Sequence, residues 1–587
     1  MAGETREAGG TADVGYASPR FALFETSAIV FKGQLKFAFT FNRHMAHQDK
    51  IQKWVSHCKD TLTDLIQALP SVTPRPTLSD FPLLSLDEER FQVMLNRLSK
   101  MGIQSNEIES AYPCSSMQEG LLLSQSKDAG FYAAVTIHEL TVPNGRVKWK
   151  HVADSWTKVV ARHPSLRTIF MENVDTAEGL YDQIVLTKAD PNIVHLECTT
   201  AEEALQRLKQ QRTVSYETGN KSPHRFTICS LSDGRTFCCL EISHAIMDGH
   251  SMSVIFRDLQ EAYENRLAED GPMYADYIAY LMDQPQESSL KFWQTYLQGS
   301  EVCSFPALND GIVAEKRLEN IRVDCGNISI FDLQAFCNTH GITLANIFHT
   351  AWALTLSLYV GSSDVTFGYL TSARDSDDIH RVQDMVGPII NTLVCRVQFS
   401  EGSRSILDVI RVVQEDYVNA IPHRHVALAE VQHMLDLAGA NLFNTALSYR
   451  RLPPDTVTSS NQLKFTEVVP IYDPTEYPVS INIEVSNEAA MIDLDFWTDH
   501  LSPSQADNVA STFVRALENI LHSAEHSINS LDHMSGKHWH KIQDWNIMPD
   551  TIYECVHRRF QEWVKVSHSS MGRQYALWIL SCYPIIR

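Results

Sequence analysis

Few folds can accommodate EISHAIMDGHSM, residues 241–252, in the setting this chain gives it. The residues before the histidine, 235–242 (RTFCCLEI), are rich in β-formers, which puts His244 just past the end of a buried strand. Asp248-Gly249 is a turn signal, and Ser251 is expected to cap a helix marked by Val254, Ile255, Leu259, Ala262 and Tyr263 at three- and four-residue spacing. A strand, a histidine on the connecting loop and a helix behind it make a scaffold that holds a base rigidly in a cleft. The H-x-x-x-D-G string alone is short enough to arise by chance, and a lone histidine after a strand is more often structural, so the rest of the chain has to decide.

With 587 residues the chain has room for two large lobes with extra pieces at the ends. Hydrophobic residues at 44% and charged residues at 20% are those of a soluble globular protein, with no apolar run of membrane-spanning length and no apolar signal core in MAGETREAGG. A formal charge of -22, from 71 acidic against 49 basic residues, argues against a nucleic-acid groove. The twelve cysteines include no Cys-x-x-Cys pair and no Cys/His cluster at zinc spacing, so no metal is expected and the thiols read as reduced, as in the cytoplasm. Walker, Rossmann and Gly-x-Ser-x-Gly signatures are missing from the sequence, which removes the usual motifs for ATP, dinucleotides and serine hydrolysis.

Taken in order, residues 1–20 are small, polar and Gly-rich and read as a disordered N-terminus. QLKFAFTF (34–41) alternates as a strand and residues 48–69 carry one apolar helical face, a unit that returns as a strand at 490–497 and a helix at 503–521. A Pro-rich linker follows at 72–84. Strands at 134–140, 193–198 and 226–231, with helices at 87–100 and 147–162, interleave with the histidine segment to give a first α/β lobe over about 105–270. Helices at 274–281, 290–297, 344–359 and 406–420, with strands at 364–370, 386–396, 446–449, 479–484 and 491–496, give a second of the same kind over about 285–535. A two-lobed α/β molecule with a cleft between the lobes is the expected architecture.

Several short segments resemble, in order, the motifs of the condensation domain of nonribosomal peptide synthetases, most closely its fungal branch. AYPCSSMQEGLLLSQ (111–125) resembles the first, RHPSLRTIF (162–170) the second and SHAIMDGHS (243–251) the catalytic one. MYADYIAYL, VGPIINTLVCR, PHRHVAL and LFNTALSYR follow in the family's order. The resemblance covers residues 76–535. It implies two chloramphenicol-acetyltransferase-like lobes forming a V-shaped pseudo-dimer with a central tunnel. Carrier domains would dock at opposite faces, bringing phosphopantetheine-linked donor and acceptor, with no cofactor bound by this chain itself and the chain a monomer. The reaction implied is amide formation between a peptidyl or acyl thioester and the amine of an aminoacyl thioester. Terminal cyclisation with release, or an inactive synthetase fragment, are the alternatives. Epimerisation uses the same histidine motif, but RHPSLRTIF favours condensation, and the second motif of plant-type acyl-CoA acyltransferases is missing.

Within that resemblance His244 is the base or positioner for the attacking amine, and Gly249, at the helix start, a source of backbone N–H for the developing oxyanion. Asp248 is implied to hold the loop by an ion pair with an arginine from another element, for which Arg167 and Arg396 are both candidates. The family pattern has two adjacent histidines, whereas Ser243 stands at the first position here, a variant shared with terminal cyclising domains. Strand-end alternation turns its side chain away from His244, which makes it structural rather than a nucleophile. Asn391 and Thr392 either line the tunnel or cap their strand. Tyr274, Tyr277 and Trp293 read as core, His423 and His425 as surface loop residues, and Arg162 and Arg167 as braces.

The ends resemble neighbouring domains. Residues 21–75, with NRHMAHQDKIQKWV, resemble the closing strand and helix of a preceding epimerisation or condensation domain. Residues 536–587 read as a linker and a truncated adenylation start, carried by IQDWNIMPDTIYECVHRRFQEW (542–563), after which the resemblance stops.

Overall fold

The computed structural model describes residues 22–547, apart from 33, 43, 72–75, 144, 175–178, 211–220, 310–315, 400–403, 436–440 and 453–462, together with 557, 558 and 561. The expectations for residues 1–20 and for nearly all of 548–587 therefore lie outside the described residues. The chain divides into two compact units, Met1–Asp80 and Phe81–Arg587.

In the first unit the strand Gln34–Phe41 pairs antiparallel with Phe24–Phe31, which sequence reasoning passed over, and the helix Gln48–Ala68 follows. Phe24 stacks on Phe41 with centroids 5.5 Å apart, and Trp54 sets its edge against Phe24 and Phe39. The helix buries none of its residues, and Trp54, Leu65 and Ile66 are exposed.

The second unit holds the two lobes. The first is built on the five-stranded sheet Lys464–Tyr472, Ala133–Thr141, Thr236–Ser243, His224–Leu231 and Ile193–Cys198, in that spatial order. Its centre is the strand Thr236–Ser243, buried at every position, as expected of an apolar run packed on both faces. The helices Trp149–Arg162 and Gly249–Tyr263 lie over one face, where Trp156, Phe226, Leu240, Ile255 and Leu259 form the core. Ala204 and Leu208 of the helix Ala201–Gln210 cover the other through Cys198, Cys229 and Phe237. A three-stranded sheet, Ile108–Pro113, Tyr181–Leu186 and Thr168–Glu172, stands beside it.

The second lobe is a six-stranded sheet in the order Leu318–Arg322, Ala490–Trp497, Val479–Val485, Thr445–Arg451, Asp364–Ser372 and Ile390–Gln398. Behind it the helix Leu344–Val360 is buried without interruption from Asn346 to Leu356, which is what a helix apolar on all sides requires. Thr343 caps its start and Gly341, at φ 67°, ends the helix Ile330–His340 in front of it. Phe348, Trp352, Phe496 and Phe513 share one core with Val509 and Leu517 of the helix Pro503–Ser523.

One strand departs from the expected division of the chain. Lys464–Tyr472 belongs to the second lobe by position, yet it pairs antiparallel with Ala133–Thr141 at the edge of the first lobe's sheet, Phe465 opposite Leu140. Leu463, fully buried, and Val386 both enter the first lobe's core. The chain then returns through Asp473–Pro478 to Val479–Val485. The lobes thus share a strand, and the return segment runs beside His244.

Candidate active site

The histidine loop is built as a continuation of the central strand. After Ser243 the His244 amide donates to the Tyr132 carbonyl at 2.9 Å, and a tight turn closes with Ile246 N–H on the Ser243 carbonyl at 3.1 Å. Ser243 is fully buried and faces away from the imidazole. Its hydroxyl pairs with the Gln125 amide, donating to Oε1 at 3.1 Å and accepting from Nε2 at 2.9 Å, and it also accepts the Ala245 amide. A hydroxyl committed to three hydrogen bonds inside the core is part of the loop's frame.

Asp248, rather than Ser251, caps the following helix. Its carboxylate accepts the Ser251 amide at 2.7 Å and the Ser251 hydroxyl at 2.8 Å, so the serine sits three residues into the helix and serves the cap. The arginine on Asp248 is neither expected candidate. It is Arg374, two residues beyond the strand Asp364–Ser372 of the other lobe, with Nη2 at 2.9 Å from Oδ1 and Nε at 3.2 Å from Oδ2. Its remaining donors reach the carbonyls of Val382 (2.8 Å), Met385 (2.9 Å) and Gly387 (3.2 Å), while the Ile389 amide closes on Asp248 Oδ2 at 3.1 Å.

Both charged groups are buried, Asp248 at 1% exposure and Arg374 at 6%. Burial alone would raise the Asp248 carboxyl, but the Arg374 guanidinium and the Ser251 donors outweigh it and hold it below the ordinary carboxylate range. Gly387 is needed where it stands, because a Cβ there would come within 2.2 Å of the Tyr274 ring.

Arg396 instead pairs with Asp364 at 2.7 Å on its own sheet, and Arg167 with Glu109 and the Leu186 carbonyl of the first lobe. Each is paired within its own lobe, and neither is the partner of Asp248. Arg162 is likewise paired within the first lobe, on Asp258 at 2.9 Å. Asn391 donates to the carbonyls of Arg424 (2.8 Å) and Val426 (2.7 Å), tying its strand to the PHRHVAL segment, and lines a small cavity with Tyr277, Leu281 and Thr371. Thr392 is buried and hydrogen-bonds the Tyr477 hydroxyl. Tyr274, Tyr277 and Trp293 are core residues. His423 and His425 are half-buried rather than on an open surface: His423 Nδ1 lies 2.9 Å from Ser289 Oγ, and its ring stacks on Phe292.

His244 is the member of its motif whose side chain reaches from the loop to the return segment. The side chain is 13% exposed, and Nε2 lies 2.9 Å from Asp473 Oδ2 on the return segment. Burial alone would lower the imidazole. Asp473, then Asp248 behind it and a backbone bond at Met247, outweigh burial and raise it above the ordinary histidine value. Gly249 opens the helix next to it, its carbonyl taken by Arg450 Nη1 at 2.7 Å, and the first amides of a helix have no intrahelical acceptor. The arrangement can take a proton from a nucleophile and offers backbone donors a few residues away.

Three residues of this site were outside the sequence reading. Arg374 and Asp473 lie in ordinary polar loops (TSARDSDD and YDPTEY), and Arg450 ends a motif with nothing to aim it at Gly249. The available signal for Arg374 was an arginine directly after an apolar strand, where a charge needs a partner.

Comparison with known proteins gives the site its context. A family model described as the condensation domain matches residues 108–542. Nonribosomal peptide synthetase 4 of Gibberella zeae is 44% identical over 96% of this chain, and nonribosomal peptide synthetase 1 of Aspergillus fumigatus 43% identical over 96%. The chain spans only 7% and 9% of their lengths. Among solved structures, the condensation domain from the Monacolin K polyketide synthase MokA superposes with a TM-score of 0.60 at 15% identity, over 72% of this chain and 99% of that one. The fold is the two-lobed, chloramphenicol-acetyltransferase-like arrangement.

Proposed function

Because the chain belongs to the condensation-domain family, we propose that it forms an amide bond between two carrier-bound substrates, a peptidyl or acyl thioester as donor and the amine of an aminoacyl thioester as acceptor. His244 is the group that acts on the amine. A neutral imidazole within hydrogen-bond reach takes the amine proton, or holds the lone pair on the thioester carbon, as nitrogen attacks. The carbonyl oxygen, negative in the transition state, is received by the backbone N–H of Gly249 and its neighbours at the helix start. Asp248 takes no proton. With Arg374 it fixes the loop across the two lobes. Ser243 belongs to the frame, which gives no support to a seryl intermediate.

The single observation that carries this reading is the division of labour in the loop: Ser243, Asp248 and Ser251 are buried and spend their polar atoms on holding it, whereas the His244 side chain keeps an exposed edge. The donor and acceptor carriers supply their phosphopantetheine arms, an adenylation domain loads the acceptor, and Asn391 and Thr392 stand along the tunnel. The chain works in the cytoplasm as a monomer. Residues 76–535 form the condensation domain, 21–75 the closing strand and helix of a preceding one, and 536–587 the lead into adenylation. The match in kind between Gln34–Phe41 with Gln48–Ala68 and Ala490–Trp497 with Pro503–Ser523 supports the second assignment, each an eight-residue strand and a 21-residue helix.

The test is reconstitution with a loaded donor carrier and a loaded acceptor carrier. The elongated product is expected on the acceptor. A free cyclic product formed without an acceptor would replace condensation by cyclising release, and no His244-dependent product with any pair would end the proposal.

A further inference from the structure

The contact between His244 and Asp473 has a chemistry of its own. His244 follows the central strand of the first lobe and Asp473 directly follows the shared strand, so the pair closes when that strand is docked on Ala133–Thr141. Asp473 Oδ2 meets Nε2, the side chain remains 35% exposed, and Oδ1 is buried without a hydrogen-bond partner. Asp495 of the strand Ala490–Trp497 faces the same carboxyl. Burial first, partly offset by Asn320, and then Asp473, push Asp495 up to about 6. Tyr132 and Glu476 stand nearby, Asp248 is neutralised by Arg374, and no described cation other than His244 is paired with Asp473.

A neutral imidazole turned with its Nε2 lone pair toward a carboxylate puts two acceptors face to face. The ring also holds a backbone bond at Met247, which with Nε2 on Asp473 falls to Nδ1. With both nitrogens donating the contact is that of an imidazolium, and a neutral base that keeps the Met247 bond has to find another donor between its Nε2 and Asp473. An incoming amine, which at neutral pH arrives as an ammonium with three N–H donors, fits that place.

We propose that Asp473 is the counter-ion of the acceptor's ammonium group, and that in the free enzyme His244 occupies the seat the acceptor will take. This rests on the condensation reading. On binding, the ammonium replaces the imidazolium on Asp473 and His244 releases its proton to solvent. One ammonium proton then passes to His244 Nε2, nitrogen bonds to the thioester carbon, the carbon–sulfur bond breaks, and the thiolate leaves with the proton from His244. The second proton of the former ammonium goes to solvent, leaving an amide and a thiol.

The test uses the full chain and two probes, an aminoacyl pantetheine amide with a free amine and the same compound N-acetylated. Wild type is expected to bind the free amine about tenfold to a hundredfold more tightly, the range of one charge-assisted hydrogen bond. Asp473→Asn is expected to lose that preference while still binding the acetylated probe as wild type does, which also reports that it is folded. In the carrier assay the same variant is expected to raise the acceptor KM more than it lowers kcat, and to move the acid limb of the pH profile downward, since the raised His244 loses its partner. Equal binding of the two probes by wild type, or an undiminished preference in Asp473→Asn, overturns the proposal whether or not peptide is made. Wild type that binds with the preference but makes no peptide overturns the condensation reading instead.

Discussion

At the level of single residues, the site depends on one ion pair that bridges the lobes. Asp248 and Arg374 are both withdrawn from water, so removing one strands the other as an unpaired buried charge. Arg374→Ala is expected to destabilise the protein by about 3–5 kcal/mol in denaturant unfolding, far more than the same change at an exposed arginine. Asp182 makes a second residue-level case. Neither of its carboxyl oxygens has a hydrogen-bond partner, and burial, then Glu119, push it up to about 7. A carboxyl raised on folding lends stability that is complete below its unfolded value and disappears as pH rises through the folded one. Wild type is therefore expected to lose stability as pH climbs from about 4 to about 7 and to level off above that, and Asp182→Asn to flatten that loss; parallel urea titrations across that interval would read it, and identical pH slopes would refute it.

Which residues could be read from the sequence follows from how local their causes are. The placement of His244 and the inward turn of Ser243 come from strand alternation, a property of adjacent residues. Arg374 and Asp473 reach the site from 126 and 229 positions away along the chain, and no nearby pattern marks them. Arg167 and Arg396 attracted attention because they sit in recognisable motifs, but each is held by its own sheet.

Among the elements, those with a strong period were legible almost to the residue. The helix Ile406–Ala420 matches its expected bounds, and Leu344–Val360 is one residue longer than expected. Those passed over are short, or carry a weak pattern. Tyr181–Leu186 has six residues, and Lys464–Tyr472 lies at a sheet edge, contains Pro470 and has exposed positions that do not alternate. That strand's allegiance to the other lobe is set by tertiary pairing, which local sequence does not encode. Its packing makes a direct prediction. Leu463→Ala is expected to cost about 2–5 kcal/mol, as for a Leu in the middle of the first lobe's core, although it lies far from that lobe in sequence. A loss within the scatter of surface substitutions in thermal or urea unfolding would mean that the shared strand is dispensable to the first lobe.

Over the whole molecule, the shared strand and the Asp248–Arg374 pair make the two lobes one structure, and the histidine stands where both contribute. The two-lobed α/β architecture was legible from interleaved strands and helices, and the order of short motifs carried the family. The small unit at the start has a helix of the same length as Pro503–Ser523, whose apolar face is buried, yet its own Trp54, Leu65 and Ile66 are exposed. The chain spans less than a tenth of the length of the synthetases named above, and the proposed function turns on what His244 does to carrier-borne substrates. Intact-protein mass spectrometry of the acceptor carrier, after mixing with a loaded donor carrier and this chain, tests that most directly. Wild type is expected to add the donor's acyl mass to the acceptor, and His244→Ala to do so about a hundredfold to ten-thousandfold more slowly. Transfer by His244→Ala at the wild-type rate would contradict the account.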